Sequence, residues 1–467
     1  MRIQDCWARP IVSRAGAYID VLERWESREG LGDGRPLLHL ANGVEPRRCL
    51  NLGSYNYLGY AEFGSEDKNV VSGVASGVSE SLDSWGVNTG GSEGLGGRCK
   101  EHVELERLVA WFLKKESAVV MGMGFATNSQ IIPSLVGKGD LVVSDELNHA
   151  SIVVGIRSSG AKVRIFSHNN MKGLEKVLRE AIVEGQDGNG KGWNRIWIVV
   201  EGMYSMEGAS CKVRELVQIK KKYGAYLYLD EAHSIGALGK SGRGVCEHHG
   251  VDTRDVDIMM GTFTKSFGAV GGYVASTKGV IARIRRTAPG LLYAASMSVP
   301  CVLHISHVLR QIAGIDGSDI GQKRINQLRE NSIYFRQRLI NAGLQLYGDW
   351  DSPIVPIMIY QPSRIAAFSR MCYQRGVAVV VAGFPATPLL LGRARVCLSA
   401  AHTREDLDFA IRVIVEVATI VQIKYNQTWM ETLLPKNLLE EAGCIQQQVK
   451  TLLFGNDDSQ YNEAERC

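Results

Sequence analysis

Residues 225–233 read Ala-Tyr-Leu-Tyr-Leu-Asp-Glu-Ala-His, so five apolar residues lead directly into charged ones. A short apolar run rich in aromatic side chains and ended by polar residues predicts a buried β-strand. Five further runs between about residues 100 and 300 share this pattern, and helix-like segments separate them. These runs are Ala118–Val120, Leu141–Val143, Val163–Phe166, Ile196–Val200 and Asp257–Met260. The alternation is typical of an α/β domain with a mostly parallel sheet.

Polar or glycine-rich residues follow most of these strands at once. They are Gly122-Met123-Gly124, Ser144-Asp145, Glu201-Gly202, Asp230-Glu231-Ala232-His233 and Gly261-Thr262-Phe263-Thr264-Lys265. In an open α/β sheet, ligands bind beyond the carboxyl ends of the strands. We therefore expect these five groups to converge on one cleft.

The distribution of apolar, charged and polar residues along the chain predicts four parts. They are an N-terminal arm (1–60), a large α/β domain (61–300), a smaller C-terminal α+β domain (301–425) and a polar C-terminal tail (426–467). In the third part, a charge-rich helix is expected over Lys323–Ala342, with strands near Ile354–Tyr360 and Val377–Val381.

The bulk composition excludes several classes of protein. A formal charge of +4 is spread over 53 basic and 49 acidic residues with no long run of one sign, which argues against a nucleic-acid surface. The ten cysteines occur singly, so no zinc or redox pair is indicated, and reduced thiols facing the cytosol are the default interpretation. No metal site is expected. The sequence offers neither a signal peptide nor a run of about 18 apolar residues that would span a membrane.

Lys265 is a candidate nucleophile, since it follows a buried-looking strand and lies among Thr262, Thr264 and Ser266. Burial lowers the pKa of an amine and makes it able to form a Schiff base. A surface lysine in a loop is the alternative, but the two threonine hydroxyls are suited to holding the phosphate of a cofactor beside the amine.

Asp230 and His233 follow the strand quoted above, where a carboxylate can keep the ring nitrogen of a pyridoxal cofactor protonated. The Asp-Glu-Ala-His run also resembles the magnesium-binding box of nucleotide hydrolases. That interpretation requires a G-x-x-x-x-G-K-[ST] loop, which the preceding sequence lacks. Asp230 as a simple helix cap is the remaining alternative.

Three further features could bind a cofactor. Backbone N–H groups at Gly124 and Phe125 open an apparent helix and could bind phosphate. His149 could stack on a flat ring, or be an ordinary core histidine. The glycine-rich run Gly90–Gly97 follows no clear strand, and we interpret it as a flexible loop at the active site or at an interface.

Together these stretches resemble the α-oxoamine synthases, a fold-type I pyridoxal-phosphate family, and within them the catalytic second subunits of eukaryotic serine palmitoyltransferases. The resemblance runs in order from about residue 2 to about residue 425. Its motifs are Asn51–Gly59, Gly122–Ser129, Ser144–Ser151, Val200–Gly208, Tyr228–Gly236, Gly261–Gly272, Gly383–Pro388 and Arg395–Thr403.

The resemblance implies a role for each site residue toward pyridoxal 5'-phosphate (PLP). Lys265 would bind the cofactor covalently, and Asp230 would pair with its pyridine nitrogen. The other implied roles are hydrogen bonds to the ring oxygen (His233, Ser205), stacking on the ring (His149), phosphate binding partly across a dimer interface (Thr262, Thr264, Gly124, Phe125) and binding of the substrate carboxylate (Arg395, with Asn56 nearby).

The resemblance also implies the activity, which is decarboxylating condensation of L-serine with palmitoyl-CoA to 3-ketosphinganine, the first step of sphingolipid biosynthesis. The implied partner is a homologous subunit that lacks the lysine, in a heterodimer. The implied location is the cytosolic face of the endoplasmic reticulum membrane, reached through the partner or through a missing N-terminal helix.

Two alternatives stay open at this point, and one departure from the family supports them. The chain could be a non-catalytic scaffold, or a related synthase that uses glycine or a shorter acyl-CoA. Glu93 stands where relatives usually carry arginine, so altered activity or partner choice is possible.

Overall fold

A computed structural model of the chain describes residue 6 and residues 9–30, 36–40, 45–62, 68–186, 190–384 and 386–425. The predicted polar tail, 426–467, lies outside the described residues, as do the first residues of the predicted arm.

A seven-stranded sheet forms the centre of the large α/β part. Its strands, in spatial order, are β5 (Ser117–Met121), β11 (Gly272–Ser276), β10 (Ile258–Thr262), β9 (Tyr226–Asp230), β8 (Ile196–Glu201), β6 (Leu141–Asp145) and β7 (Lys162–Phe166). All neighbours pair in parallel except β11, which is antiparallel to β5 and to β10. The α/β class with a mostly parallel sheet is thereby confirmed.

The six apolar runs lie in β5 to β10, whereas β11 was not predicted. This strand is Gly-Tyr-Val-Ala-Ser and follows a glycine pair. Glycine weakens the local strand signal, so only pairing with two neighbours makes this segment a strand.

Helices cover both faces of this sheet. They are α1 (Lys68–Trp85), α2 (Lys100–Phe112), α3 (Gly124–Leu135), α4 (Ala150–Ser159), α5 (Met171–Glu184), α6 (Val213–Tyr223), α7 (Val245–His248), α8 (Lys278–Thr287) and α9 (Pro289–Leu292). On β9, Leu227 and Leu229 pack in one core cluster and Tyr228 packs in the other, as the period of two requires. A strand buried on both faces therefore reads as a continuous apolar run.

The C-terminal part contains a three-stranded antiparallel sheet of β12 (Ile354–Tyr360), β15 (Gly392–Cys397) and β14 (Val380–Ala382). Its helices are α10 (Val299–Ala313), α11 (Ile320–Asn341), α12 (Pro362–Gln374) and α13 (Arg404–Ile420). The helix expected over Lys323–Ala342 is α11, which begins three residues earlier and ends one residue earlier, and the strand expected at Ile354–Tyr360 has the bounds of β12.

The N-terminal arm forms strands that pair with the C-terminal part. β1 (Tyr18–Val21) and β4 (Arg47–Asn51) are antiparallel, and β4 pairs in parallel with β13 (Val377–Ala378). A separate hairpin joins β2 (Arg24–Gly30) to β3 (Pro36–Leu40). The predicted strand Val377–Val381 is thus divided between two sheets, because β13 joins the arm while β14 joins β15. The pairing places residues 51–62 beside the large sheet.

Asn331 links α11 to the segment that follows β15. Its buried side-chain amide donates to the carbonyl oxygens of Ser399 and His402, both at 3.0 Å. The Ser399 carbonyl also accepts from the backbone N–H of His402 at 3.2 Å, so Asn331 matters most for the His402 carbonyl. A buried carbonyl that loses its donor costs about 1–3 kcal/mol.

We expect Asn331→Ala to lower the free energy of unfolding by about 1–3 kcal/mol, because it removes the side-chain donor to the His402 carbonyl and one of two donors to the Ser399 carbonyl. Urea unfolding followed by circular dichroism measures this change. Asn326→Ala, at an exposed position of the same helix, serves as the control and should stay within about 0.5 kcal/mol of the parent. Equal effects of the two substitutions would contradict the assigned role of Asn331.

Candidate active site

The carboxyl ends of three adjacent parallel strands bring the central residues together. Glu201 ends β8 and Asp230 ends β9, and the two are register partners. Lys265 lies three residues beyond β10, whose Met260 is the register partner of Asp230. The expected convergence of these strand ends therefore occurs in the folded chain.

Lys265 is partly buried, and its amine lies 5.4 Å from the centre of the Tyr55 ring. Burial lowers the pKa of Lys265 to about 8, while the carboxylate of Asp230 acts in the opposite direction. An amine with a pKa near 8 is partly unprotonated at neutral pH and can act as a nucleophile or base. A surface loop lysine would not show this shift.

Asp230 is held as a hydrogen-bond acceptor. Its Oδ2 accepts from Asn128 Nδ2 at 2.7 Å, and its Oδ1 accepts from the backbone N–H of Ala232 at 2.9 Å. The orientation of Asn128 is set because its Oδ1 accepts from the Tyr228 hydroxyl at 2.7 Å and its amide also donates to Ser151. The bond from the Ala232 N–H to Oδ1 is the contact expected of a helix cap. The other carboxylate oxygen, Oδ2, instead accepts from Asn128, which belongs to a separate buried network. Sequence reasoning quoted Asn128 within a motif and gave it no role.

The surroundings of His149 and His233 favour the neutral form of each imidazole. His149 precedes α4 as its N-cap, and its Nδ1 lies 2.7 Å from Ser151 Oγ; burial lowers the pKa of His149. His233 Nδ1 lies 2.8 Å from the Tyr57 hydroxyl. Burial, with the nearby cation of Lys265, holds the pKa of His233 well below its usual range. Neutral imidazoles suit stacking and hydrogen bonding to a ring oxygen better than ion pairing.

A cradle for an anion lies at the start of α3. Thr262 Oγ1 and Thr264 Oγ1 are 2.9 Å apart, and Thr262 Oγ1 also donates to the Gly271 carbonyl at 2.8 Å. A Cβ placed on Gly124, the first residue of α3, would lie 2.7 Å from Thr262 Oγ1. Only glycine fits there, so the helix N-terminus and the threonine pair form one surface, with Phe125 at its exposed edge. Helix N-termini bind phosphate readily.

Arg395 and Tyr55 form the opposite side of the cleft. The guanidinium of Arg395, on β15, lies 4.4 Å from the centre of the Tyr55 ring and donates to the Tyr55 hydroxyl. Arg395 Nε is buried and has no hydrogen-bond partner in the described part of the chain. The side chain of Ser205 hydrogen-bonds the Tyr55 hydroxyl, and the His233 ring lies 4.9 Å from the Tyr55 ring. Tyr55 thus contacts several predicted site residues, although sequence reasoning gave it no role.

Asn56 lies near this cleft, but its side chain is already occupied. Its Nδ2 donates to the Ala15 carbonyl at 3.0 Å and its Oδ1 accepts from the backbone N–H of Ala61 at 3.2 Å. These bonds join Asn56 to an earlier segment of the N-terminal arm and to the start of the residues that follow the arm. Substrate binding by Asn56 stays a prediction, which its side-chain contacts do not support.

Comparisons with known proteins show the family to which the chain belongs. The sequence pattern of the family "Aminotransferase class I and II" matches residues 47–414. The chain is 52% identical over 425 residues to "Long chain base biosynthesis protein 2d" of Oryza sativa subsp. japonica, covering 91% of this chain and 84% of that protein. It is 47% identical over 430 residues to "Serine palmitoyltransferase 2" of Dictyostelium discoideum, with coverage of 91% and 84%.

A solved structure of serine palmitoyltransferase from S. paucimobilis, with a bound PLP–myriocin aldimine, superposes on the chain with a TM-score of 0.72. The two are 28% identical, and the match covers 83% of this chain and 90% of that one. The chain belongs to the serine palmitoyltransferase family. It is a PLP-dependent enzyme.

The residues present fit PLP. Asp230 is a buried carboxylate that would accept from the protonated ring nitrogen, and the start of α3, where a Cβ on Gly124 would meet Thr262 Oγ1, would hold the phosphate. Lys265 follows β10, the strand beside β9, and Thr262 at the end of β10 contacts the Gly124 region. Like other members of the serine palmitoyltransferase family, the chain therefore has a place for each end of the cofactor.

The family departure at Glu93 has a defined electrostatic setting. Glu93 lies in a short 3-10 turn (Glu93–Leu95) and forms an ion pair with Arg285 on α8. Glu106 accepts from Arg98 and lies 2.7 Å from Arg285 Nη2, so two carboxyl groups face two guanidinium groups. An arginine at position 93 would leave three cations around one carboxylate. The loop is thus built around an acidic residue.

Two absences concern the part of the chain that the structure describes. None of its helices is long and apolar enough to cross a membrane. The same residues contain no cluster of histidine, cysteine and carboxylate side chains suited to a metal ion.

We expect the amine of Lys265 to react with an acylating reagent in cofactor-free protein with a pH midpoint of about 8, because burial favours the neutral amine. Competitive labelling across pH 6–10, with mass spectrometry of the peptide that contains Lys265, measures this midpoint. The exposed Lys278 is the internal control for the reactivity of the reagent. A matching midpoint for both lysines would rule out the buried-amine assignment.

Proposed function

We propose that this chain is the lysine-bearing catalytic subunit that condenses L-serine with palmitoyl-CoA. The products are 3-ketosphinganine, CoA and carbon dioxide, so the reaction opens sphingolipid biosynthesis. The observation that carries the proposal is the position of Lys265, whose amine is buried beside Asp230 and beneath Tyr55. A subunit without catalytic duty has no need of a buried amine in this setting.

When bound, PLP supplies an electron sink for the negative charge that develops at the serine α-carbon. Asp230 supports that sink as an anion beside the ring nitrogen, and Asn128 keeps its carboxylate in place. His149 and His233 contribute as neutral groups, so neither competes with Lys265 for a proton near pH 7.

Lys265 Nζ is the proposed base. With a pKa of about 8, the amine can take the α-proton of serine and return it later without a large energetic penalty. Arg395 is the proposed partner of the serine carboxylate, because its planar guanidinium can bind both oxygens and its buried Nε has no partner among the residues that the structure describes. Stacking against Tyr55 limits the conformational freedom of the guanidinium.

The proposal also covers the assembly of the protein and its location in the cell. We infer a heterodimer with a homologous subunit that lacks the lysine, and a position at the cytosolic face of the endoplasmic reticulum membrane, through that partner or a segment outside the described residues. Support comes from the exposed apolar side chains of Leu95 and Tyr293, both 83% exposed, on adjoining segments beside the Glu93 turn. Such exposed residues are suited to an interface between proteins.

The test is co-expression with a homologous non-lysine subunit, followed by absorbance at about 400–430 nm, where lysine-bound PLP absorbs, and an assay with labelled serine and palmitoyl-CoA. Product and the cofactor band should both be present, and both should be lost in Lys265→Ala. Parent protein without a cofactor band would favour the scaffold alternative. Bound cofactor with product only from glycine or a shorter acyl-CoA would favour the related synthase.

We expect Arg395→Lys to raise the KM for serine about 10–100-fold, because the lost charged hydrogen bond is worth about 1.5–3 kcal/mol. Steady-state kinetics at saturating palmitoyl-CoA measures this value, and the KM for palmitoyl-CoA should change much less. Arg375→Lys, at the end of α12 and paired with Glu416, is the matched control. An unchanged KM for serine in Arg395→Lys would remove Arg395 from the carboxylate site.

A further inference from the structure

Glu201 is a buried acid that none of the roles above uses. It is 5% exposed, although carboxyl groups are seldom buried without a partner. Glu201 and Asp230 are register partners on neighbouring parallel strands, so their side chains project from the same face of the sheet. Strands lie about 4.8 Å apart, and two carboxyl groups at that spacing repel if both are ionised.

The hydrogen bonds of Glu201 tie it to the start of α4. Its Oε1 accepts the backbone N–H of His149, and its own backbone N–H donates to the Tyr204 hydroxyl at 3.1 Å. His149 is the N-cap residue of α4, so the carboxyl group of Glu201 fixes the point at which that helix and its imidazole enter the cleft.

The groups around Glu201 do not supply enough positive charge to stabilise both Glu201 and Asp230 as anions. Asp230, Glu207, Lys265 and the hydroxyls of Tyr55 and Tyr204 surround it, and Lys265 is the nearby cation. Burial, and then the carboxylate of Asp230, hold the pKa of Glu201 well above its usual range, while Lys265 lowers it. One amine shared by two buried carboxyl groups stabilises one of them as an anion. Asp230 is the better candidate, because the amide of Asn128 and a backbone N–H both donate to it.

We propose that Glu201 is a positioning residue that works as a neutral carboxylic acid, holding His149 by its backbone N–H and leaving Asp230 as the single anion at the ring nitrogen. The inference rests on the proposed roles of Asp230 and His149. It assigns different charge states to the carboxyl groups at two adjacent strand ends: Glu201 is neutral and Asp230 is an anion.

A neutral acid can be replaced by an amide without changing the charge around Lys265. Glu201→Gln also keeps a carbonyl oxygen for the His149 N–H. We therefore expect the labelling midpoint of Lys265 in cofactor-free Glu201→Gln protein to stay within about 0.3 pH unit of the parent. In Asp230→Asn the midpoint should fall by about 1 unit or more, because a nearby opposite charge is lost.

The midpoint decides the charge state of Glu201. A fall in Glu201→Gln as large as that in Asp230→Asn would show that Glu201 is ionised and would overturn the proposal. Because the labelling uses neither serine nor palmitoyl-CoA, its outcome is independent of whether the proposed condensation occurs. The two variants also differ from the parent by one amide each, so they are matched in size.

The positioning role is measured by the dissociation constant for PLP, titrated by absorbance. Glu201→Gln should bind PLP within about twofold of the parent, whereas Glu201→Leu should bind at least tenfold more weakly, since a buried N–H without an acceptor costs about 1–3 kcal/mol. Equal affinity of Glu201→Leu and the parent would refute the positioning role. If Glu201→Leu does not fold, a tenfold loss in Glu201→Gln would refute it instead.

Discussion

The site depends on burial of one amine beside carboxyl groups at the open ends of parallel strands. Desolvation favours the neutral amine of Lys265, and the carboxylate of Asp230 limits how far its pKa falls. The same burial that makes the lysine reactive makes a second anion costly, so the charge state of each neighbour follows from the others. Rearranging any one of them would change the chemistry of the rest.

The surrounding structure serves to keep this balance in place. Asn128 is oriented by Tyr228 and Ser151, and in turn orients Asp230, so a chain of hydrogen bonds reaches from the strand to α4. Buried polar networks of this kind are stable only when their members are satisfied. Tyr228 lies in the same core cluster as residues of α3 and α4, the helices that carry Asn128 and Ser151. These two helices must therefore pack on this face of the sheet before the network can form.

The smaller sheets complete the cleft from the other side. Pairing of β4 with β13 brings the N-terminal arm onto the C-terminal part, and Tyr55 then lies between Arg395 and Lys265. Three segments far apart in the chain therefore share one tyrosine ring. The guanidinium of Arg395 lies close enough to the ring, at 4.4 Å from its centre, for a favourable cation–π contact.

The sequence alone determined the α/β class, the six strands that read as apolar runs, and the grouping of Lys265, Asp230, His233 and Thr262 at strand ends, because strand period and chain connectivity are local properties. Resemblance to known proteins added Arg395 and Ser205. Only the tertiary structure decided β11, the split of Val377–Val381 between two sheets, the contacts of Tyr55 and the structural use of Asn56, because each depends on pairing between segments distant in sequence. The charge state of Glu201 belongs to the same group: its residue type is plain in the sequence, but its burial against Asp230 arises only when β8 and β9 lie side by side.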